Sequence, residues 1–299
     1  RVAGIRFAVG AFTNLTQDHL GFHHTMQAYA EAKAKLFGVC GVGCINADDA
    51  WSGVMIKDAK CDILRYSADS KDAELTAKNI KFMPSAVEFC AQFKGESADV
   101  RLAIPGKFSV YNALNTIAIG LALGISLADC AEAMSSAHGV KGRMEVVPTD
   151  GDYTVIIDYA HTPDALENAL KALKAVTNER VVVLFGCGGD RDRTKRPIMG
   201  GIAADNADFV IVTSDNPRTE EPQAIVDEIL CGLESKSTPH IAICDRVEAI
   251  KWAIDNHRPN DVILLAGKGH EDYQVVGHEK HHMDEREIVA EHIEMRNKK

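Results

Sequence analysis

Two short stretches hold the residues best equipped for chemistry. Gly186 to Arg196, GCGGDRDRTKR, follows the apolar run VVVLF, and Asp215-Asn216-Pro217-Arg218 follows FVIVTS. Arg191, Arg193, Lys195 and Arg196 crowd cations into the first. The second carries an acid and a base side by side. Guanidinium groups fork onto carboxylates or phosphates, and a carboxylate accepts an ammonium. Two such loops at successive strand ends predict a site for an anionic and zwitterionic substrate. Asp158-Tyr159-Ala160-His161 and Gly267 to Glu271 also sit at the ends of apolar runs.

The first half offers three more candidates. Asp18, His19, His23 and His24 cluster at the expected start of a helix, where exposed N–H groups favour anions. They read either as a polar cap or, for His19, as a metal ligand. Met26, Tyr29, Ala30, Lys33 and Phe37 share one helical face, so Lys33 lies on an apolar face. It is either a snorkelling lysine or a functional one, since a buried ammonium needs a partner or chemical alteration. Asn112 and Asn115, three apart, are either helix-start polar residues or amides that meet a base edge with donor and acceptor.

The elements that must position these residues are legible. IRFAVGAFTN reads as a strand, and Thr16 caps a helix running to Phe37. Short apolar runs and hairpin-forming strands fill Val39 to Phe108, followed by helices in KFSVYNALNTIAIGLALGI and SLADCAEAMSSA. A Gly-punctuated link carrying Arg143 puts the domain boundary near Gly142. Beyond it strands and helices alternate: TVIID, a helix capped by Thr162 with Pro163 in its first turn, VVVLF, FVIVT, IAIC, VILLAG and a last helix DEREIVAEHIEM. That alternation predicts an α/β fold with a mainly parallel sheet covered on both faces. Ligands bind at the carboxyl ends of such strands, and the four suggestive loops all lie at such ends.

Composition narrows the classes. The chain of 299 residues is long enough for two domains, and its net charge of −10 argues against broad nucleic-acid or membrane-surface binding. No apolar run has the length of a membrane span. Eight cysteines are scattered, with only Cys40 and Cys44 close together, which fits a reducing cytoplasmic setting better than a disulfide framework.

The pieces FTNLTQDHL, YAEAKAKLF, YNALN, GRMEVV, DYAHTPDALENAL, FGCGGDRDRTKRP, TSDNPRTEEP and GKGHEDYQ together resemble the Mur ligases of peptidoglycan synthesis, most of all their MurE branch, across essentially the whole chain. The resemblance implies residues 1–142 as a central ATP-binding domain lacking its N-terminal part, and 143–299 as a Rossmann-like C-terminal domain. It implies an ATP-dependent ligase that joins meso-diaminopimelate to UDP-N-acetylmuramoyl-L-Ala-D-Glu, acting as a bacterial cytoplasmic monomer without nucleic-acid or membrane partners. Lys33 matches a carbamylated lysine that helps hold Mg²⁺, and His19 a Mg²⁺ ligand. Asn112 and Asn115 match residues at the adenine of ATP. Arg143, Asp158 and His161 match those at its ribose and phosphates. Arg191, Asp215, Asn216, Arg218, Gly267 and Glu271 match the pocket for the incoming amino acid, and Arg1 a contact of the UDP-muramoyl peptide. A distal carboxylate as well as an amine suits this mixed pocket, which favours diaminopimelate over L-lysine.

The sequence also departs from the family. A phosphate-binding Gly-rich loop, an upstream glutamate for a second Mg²⁺ and a uridine-binding domain are not found, and all would lie before Arg1. Gly21 stands where Asp is common. RVAGIRFAVG opens without Met, so a fragment or cleaved product without turnover of its own is expected. Other readings are an L-lysine ligase, a folate–glutamate ligase and a non-catalytic substrate-binding fragment. A dinucleotide oxidoreductase is a further reading, although FGCGGD lacks the dinucleotide fingerprint spacing.

Overall fold

The computed structural model describes residues 4–15, 23–69, 72–137 and 139–298. Arg1, Asp18, His19 and Gly21 therefore lie outside the described residues, as does the Thr16 cap. The chain divides into two compact units, one of residues 1–82 and 86–138, the other of 83–85 and 139–299.

The first unit is built on a six-stranded sheet in simple sequential order: β1 (Phe7–Phe12), β2 (Cys40–Asn46), β3 (Asp62–Ser67), β4 (Leu75–Met83), β5 (Ala86–Phe93) and β6 (Glu96–Leu102). β1 to β4 pair in parallel, and β5 and β6 form an antiparallel hairpin. Helix α1 (Met26–Ala34) begins at Thr25, whose Oγ1 accepts the Ala28 N–H at 3.1 Å. His24 has φ 65°, a left-handed value that an α-helix cannot contain, so the expected unbroken helix is interrupted there. The chain after α1 tightens into a 3₁₀ turn, Lys35–Gly38. Short α2 (Ser52–Ile56) and the long α3 (Lys107–Ala122) and α4 (Leu127–Ser135) complete the unit. Val110, Ala113, Leu114, Ile117 and Ala118 repeat at helical spacing and bury α3 against Cys44, Tyr66 and Leu75 of the sheet.

The second unit holds a six-stranded sheet in the order β11-β10-β9-β12-β8-β7: β7 (Glu145–Val147), β8 (Thr154–Asp158), β9 (Val181–Phe185), β10 (Phe209–Val212), β11 (His240–Ala242) and β12 (Val262–Ala266). All pairs are parallel except β7 with β8. Alternation along each strand sends successive side chains to opposite faces. Val181, Val183 and Phe185 meet α5 (Pro163–Lys174), α6 (Lys195–Asn206) and α7 (Pro222–Leu230). Val182 and Leu184 meet α8 (Arg246–Asp255) and α9 (Glu285–Asn297). Both faces being covered explains why VVVLF has no polar residue. In this unit two features were not anticipated: β7 inside the expected link, and a hairpin of β13 (Tyr273–Val276) and β14 (Glu279–His282) between the GKGHED loop and α9. The expected strand IAIC starts one residue earlier than read and ends two earlier, at His240–Ala242. Among the described residues no helix is long and apolar enough to cross a membrane.

Candidate active site

β10, β9, β12 and β8 are consecutive parallel neighbours, so their carboxyl-end loops form one rim in the second unit. The loops after β9 and β10 are zipped together. Gly189 N–H donates to the Asn216 carbonyl at 2.9 Å, and Arg218 Nη1 donates to the Gly189 carbonyl at 2.8 Å. A Cβ at Gly189 would lie 1.9 Å from the Pro217 carbonyl oxygen. The glycine-rich turn therefore serves as a seat for the Asp-Asn-Pro-Arg loop.

That loop is braced from behind. Asn216 Oδ1 accepts from Lys268 Nζ at 2.9 Å and from Val275 N–H at 2.8 Å. Its Nδ2 is thereby turned to Glu271 Oε2, at 2.9 Å, which also takes Lys268 Nζ at 3.1 Å. Asp215 Oδ1 accepts its neighbour Asn216 N–H at 2.6 Å, and Gln274 Nε2 holds the Asp215 carbonyl at 2.7 Å. Asp215 Oδ2 lies 2.7 Å from where a Cβ of Gly267 would stand, and Gly267 has φ 115°. Glycine is required there on both counts. Arg246, fully buried beside Glu285, donates to the Ala266 carbonyl at 2.9 Å and the Ser214 carbonyl at 3.4 Å. One guanidinium thus ties the roots of the β10 and β12 loops.

The four cations of the first loop have different fates. Arg196 is fully buried and bound to Glu220 and Glu228. Arg193 is paired with Glu228, and Lys195 Nζ is donated to the His161 carbonyl at 2.8 Å. The expected basic loop is largely neutralised, because Glu220 and Glu228 come from the following loop and helix. Arg191 is exposed, and among the described residues its side chain bonds only the Asp190 carbonyl, at 3.0 Å. Arg218 likewise forms no ion pair among the described residues. Among the described residues, Arg191 and Arg218 carry no ion pair, and no hydrogen bond reaches Asp215 Oδ2 or Glu271 Oε1.

Beyond β8, Tyr159 gathers the other candidates of this unit. Its ring lies 4.5 Å from that of His161 and 4.9 Å from that of His270, and the Arg143 guanidinium is 5.3 Å from its centroid. His161 Nδ1 is 2.8 Å from the Tyr159 carbonyl. Asp158 is buried and accepts the Met144 N–H at 2.8 Å. Burial pushes its carboxyl above the usual range, against the opposing pull of that N–H and of Arg143.

In the first unit Lys33 lies at the edge of the apolar face of α1. It is exposed, with its ammonium 5.0 Å from the Tyr29 ring centroid. A cation over an aromatic face keeps its hydration while its stem covers apolar surface, so no buried charge arises. Asn112 is exposed and Asn115 half-buried on α3. Asn115 Oδ1 is itself buried and has no hydrogen-bond partner among the described residues. A buried acceptor left bare costs about 1–3 kcal/mol, which a donor such as an exocyclic base amine would recover. Cys40 and Cys44 are buried free thiols. Cys40 faces Cys61 at 3.4 Å, and burial pushes Cys44 up to about 12.

Sequence reasoning missed Lys268. Its position in a Gly-Lys-Gly loop at a strand end was the available signal, but its burial depends on β13.

Parallel α/β units with these loops match known domains. Residues 1–120 match the Mur ligase middle domain, and residues 142–269 the Mur ligase glutamate ligase domain. The chain belongs to the Mur ligase family. It is 47% identical over 293 residues to a UDP-N-acetylmuramoyl-L-alanyl-D-glutamate–2,6-diaminopimelate ligase of Caldanaerobacter subterraneus, covering 97% of this chain and 60% of the relative. It is 45% identical over 295 residues to ligase 1 of that name from Clostridium acetobutylicum, covering 98% and 61%. A solved structure of a ligase of that name superposes with TM-score 0.80 at 36% identity, over 97% of this chain and 60% of the other. The chain thus spans about three fifths of the length of these relatives.

Proposed function

We propose that this chain supplies the middle and C-terminal parts of a bacterial cytoplasmic ligase that adds meso-diaminopimelate to UDP-N-acetylmuramoyl-L-Ala-D-Glu in peptidoglycan synthesis. The observation that carries the reading is the open set on the second unit: among the described residues Arg191 and Arg218 form no ion pair, beside Asp215 and Glu271, each with one oxygen that takes no hydrogen bond. An amino acid with a carboxylate and an amine at its far end satisfies all four. L-lysine leaves a guanidinium without a partner.

In the reaction the D-glutamate γ-carboxylate attacks the γ-phosphorus of ATP and ADP leaves. The free amine of diaminopimelate then attacks the acyl phosphate carbon, and inorganic phosphate departs as the amide forms. No side-chain nucleophile is required, so the protein's share is positioning and charge stabilisation. Arg191, Arg218, Asp215, Glu271 and Asn216 orient the amine, with Gly267 leaving room. Asn115 Oδ1, the bare acceptor, suits the adenine amine, with Asn112 one turn before it. Arg143, Asp158 and His161 are assigned to ribose and phosphates. Mg²⁺, when bound, neutralises phosphoryl charge. Lys33 is exposed and accessible to CO₂, and a carbamate there would offer the oxygen ligands Mg²⁺ takes. The other assigned ligand, His19, and the assigned UDP-muramoyl-peptide contact, Arg1, are outside the described residues. Among the described residues no three His, Cys, Asp or Glu side chains group as a metal site, so the fit rests on Lys33.

The test is amide ligation with ATP, UDP-N-acetylmuramoyl-L-Ala-D-Glu and either diaminopimelate or L-lysine. A full-length ligase carrying residues 1–299 should prefer diaminopimelate; preference for L-lysine, or for glutamate with a folate acceptor, would overturn the assignment. Residues 1–299 alone should show no turnover, and a rate near that of the full-length enzyme would refute that expectation.

A further inference from the structure

Lys268 is fully buried, yet it sits in the loop that carries Gly267 and Glu271. Its ammonium reaches Asn216 Oδ1 at 2.9 Å and Glu271 Oε2 at 3.1 Å. Two consequences follow. First, the Asn216 amide has a single orientation, because Lys268 and the Val275 N–H both demand its oxygen. Its nitrogen is then committed to Glu271 Oε2. Second, the charge of Glu271 is cancelled internally, while its Oε1 stays available as an acceptor.

Among the side chains assigned to the amino acid, Arg191 and Arg218 then stand against Asp215, one positive charge in excess, with the Asp190 carboxylate of the same loop bonded to Thr219 at 3.2 and 2.8 Å. An amine must be uncharged to attack. In that form diaminopimelate keeps two carboxylates and one ammonium, one negative charge in excess. L-lysine in the same form keeps one of each and is neutral. We infer that Lys268 is a specificity-determining positioning residue: by neutralising Glu271 and fixing the Asn216 amide, it leaves the subsite cationic and so selects an amino acid whose reactive form is anionic. This rests on the assignment of these loops to the incoming amino acid.

The experiment compares kcat/KM for meso-diaminopimelate and for L-lysine, with the KM for ATP, in a full-length ligase carrying residues 1–299. Lys268→Met removes one positive charge, leaving Glu271 uncompensated, and should lower the preference for diaminopimelate by about tenfold or more, with the ATP KM unchanged. Adding Glu271→Gln restores the original charge balance, so K268M/E271Q should regain selectivity relative to K268M. A strut without electrostatic influence would not produce that recovery. Should K268M not fold, Lys268→Gln keeps a donor for Asn216 without the charge and should show the same fall. Unchanged selectivity, or equal losses for diaminopimelate and ATP, would overturn the inference while leaving the assigned reaction intact. A wild-type enzyme that does not ligate diaminopimelate would instead remove the assignment itself.

Discussion

The guanidinium of Arg196 forks onto the carboxylate of Glu220, with Nη1 at 2.9 Å and Nη2 at 2.7 Å, from a position without solvent exposure. Glu228 Oε2 completes the cluster at 2.8 Å. Arg196 lies at the start of α6 and Glu220 between β10 and α7, so this pair fastens the base of the β9 loop to the segment that follows Arg218.

Removing the cation leaves two carboxylates facing each other. Arg196→Met should destabilise the chain by about 3 kcal/mol, at the lower end of the range for breaking a buried pair because both glutamates are partly exposed. Denaturant unfolding checks this. The double variant R196M/E220Q should recover part of the loss, and simple additivity of the two losses would contradict the pairing.

The same pair sets an acid response. Its bonds to Arg196 hold Glu220 well down, at about 2 against an ordinary 4.5. A carboxylate depressed in the folded state contributes stability that is fully present above its unfolded pKa and is lost as pH falls through its folded pKa. The contribution should therefore fade between about pH 4.5 and pH 2. Melting temperatures of wild type and Glu220→Gln should differ at pH 6 and converge toward pH 2; a constant gap would refute the linkage.

Arg218 has φ 52° and keeps its place through the Gly189 carbonyl and the Val275 backbone. Arg218→Ala in the full-length ligase should raise the KM for diaminopimelate by about tenfold or more, with a much smaller effect on ATP. Equal losses for both substrates would point to a folding defect.

Gly189→Ala places a methyl 1.9 Å from the Pro217 carbonyl. That oxygen belongs to backbone and cannot swing aside, so the two loops must part. The expected cost is about 1–3 kcal/mol of stability, together with weaker diaminopimelate use. Calorimetric unfolding and the KM should move together, and an unchanged KM would show that the seat is not needed for the substrate.

Much of the fold was legible because it is written in short-range pattern. Thr162 accepts the Ala165 N–H at 3.3 Å, Pro163 opens α5, and Leu166, Leu170 and Leu173 are buried as their spacing predicts. The four rim loops followed from alternation of strands and helices alone. Hairpin β13–β14 was not legible: EDYQVVGHEKHH mixes polar and apolar residues without a buried face, and most of it is exposed or half-buried. For Lys33, helical spacing gives a direction and not a depth, which left the snorkelling and the functional readings both open. At the end of a nine-residue helix its stem escapes over Tyr29.

The sequence by itself determined the parallel α/β plan of the second unit and which loops lie along its carboxyl-end rim. Periodicity, caps and glycine turns act over a few residues, so they can be read along the chain. Only the tertiary structure decided which charges in those loops remain free. Arg196 is neutralised by carboxylates 24 and 32 residues away, and Asn216 is oriented by a lysine 52 residues away. A charge's fate depends on its neighbours in space and on its distance from water, and neither is encoded in local spacing.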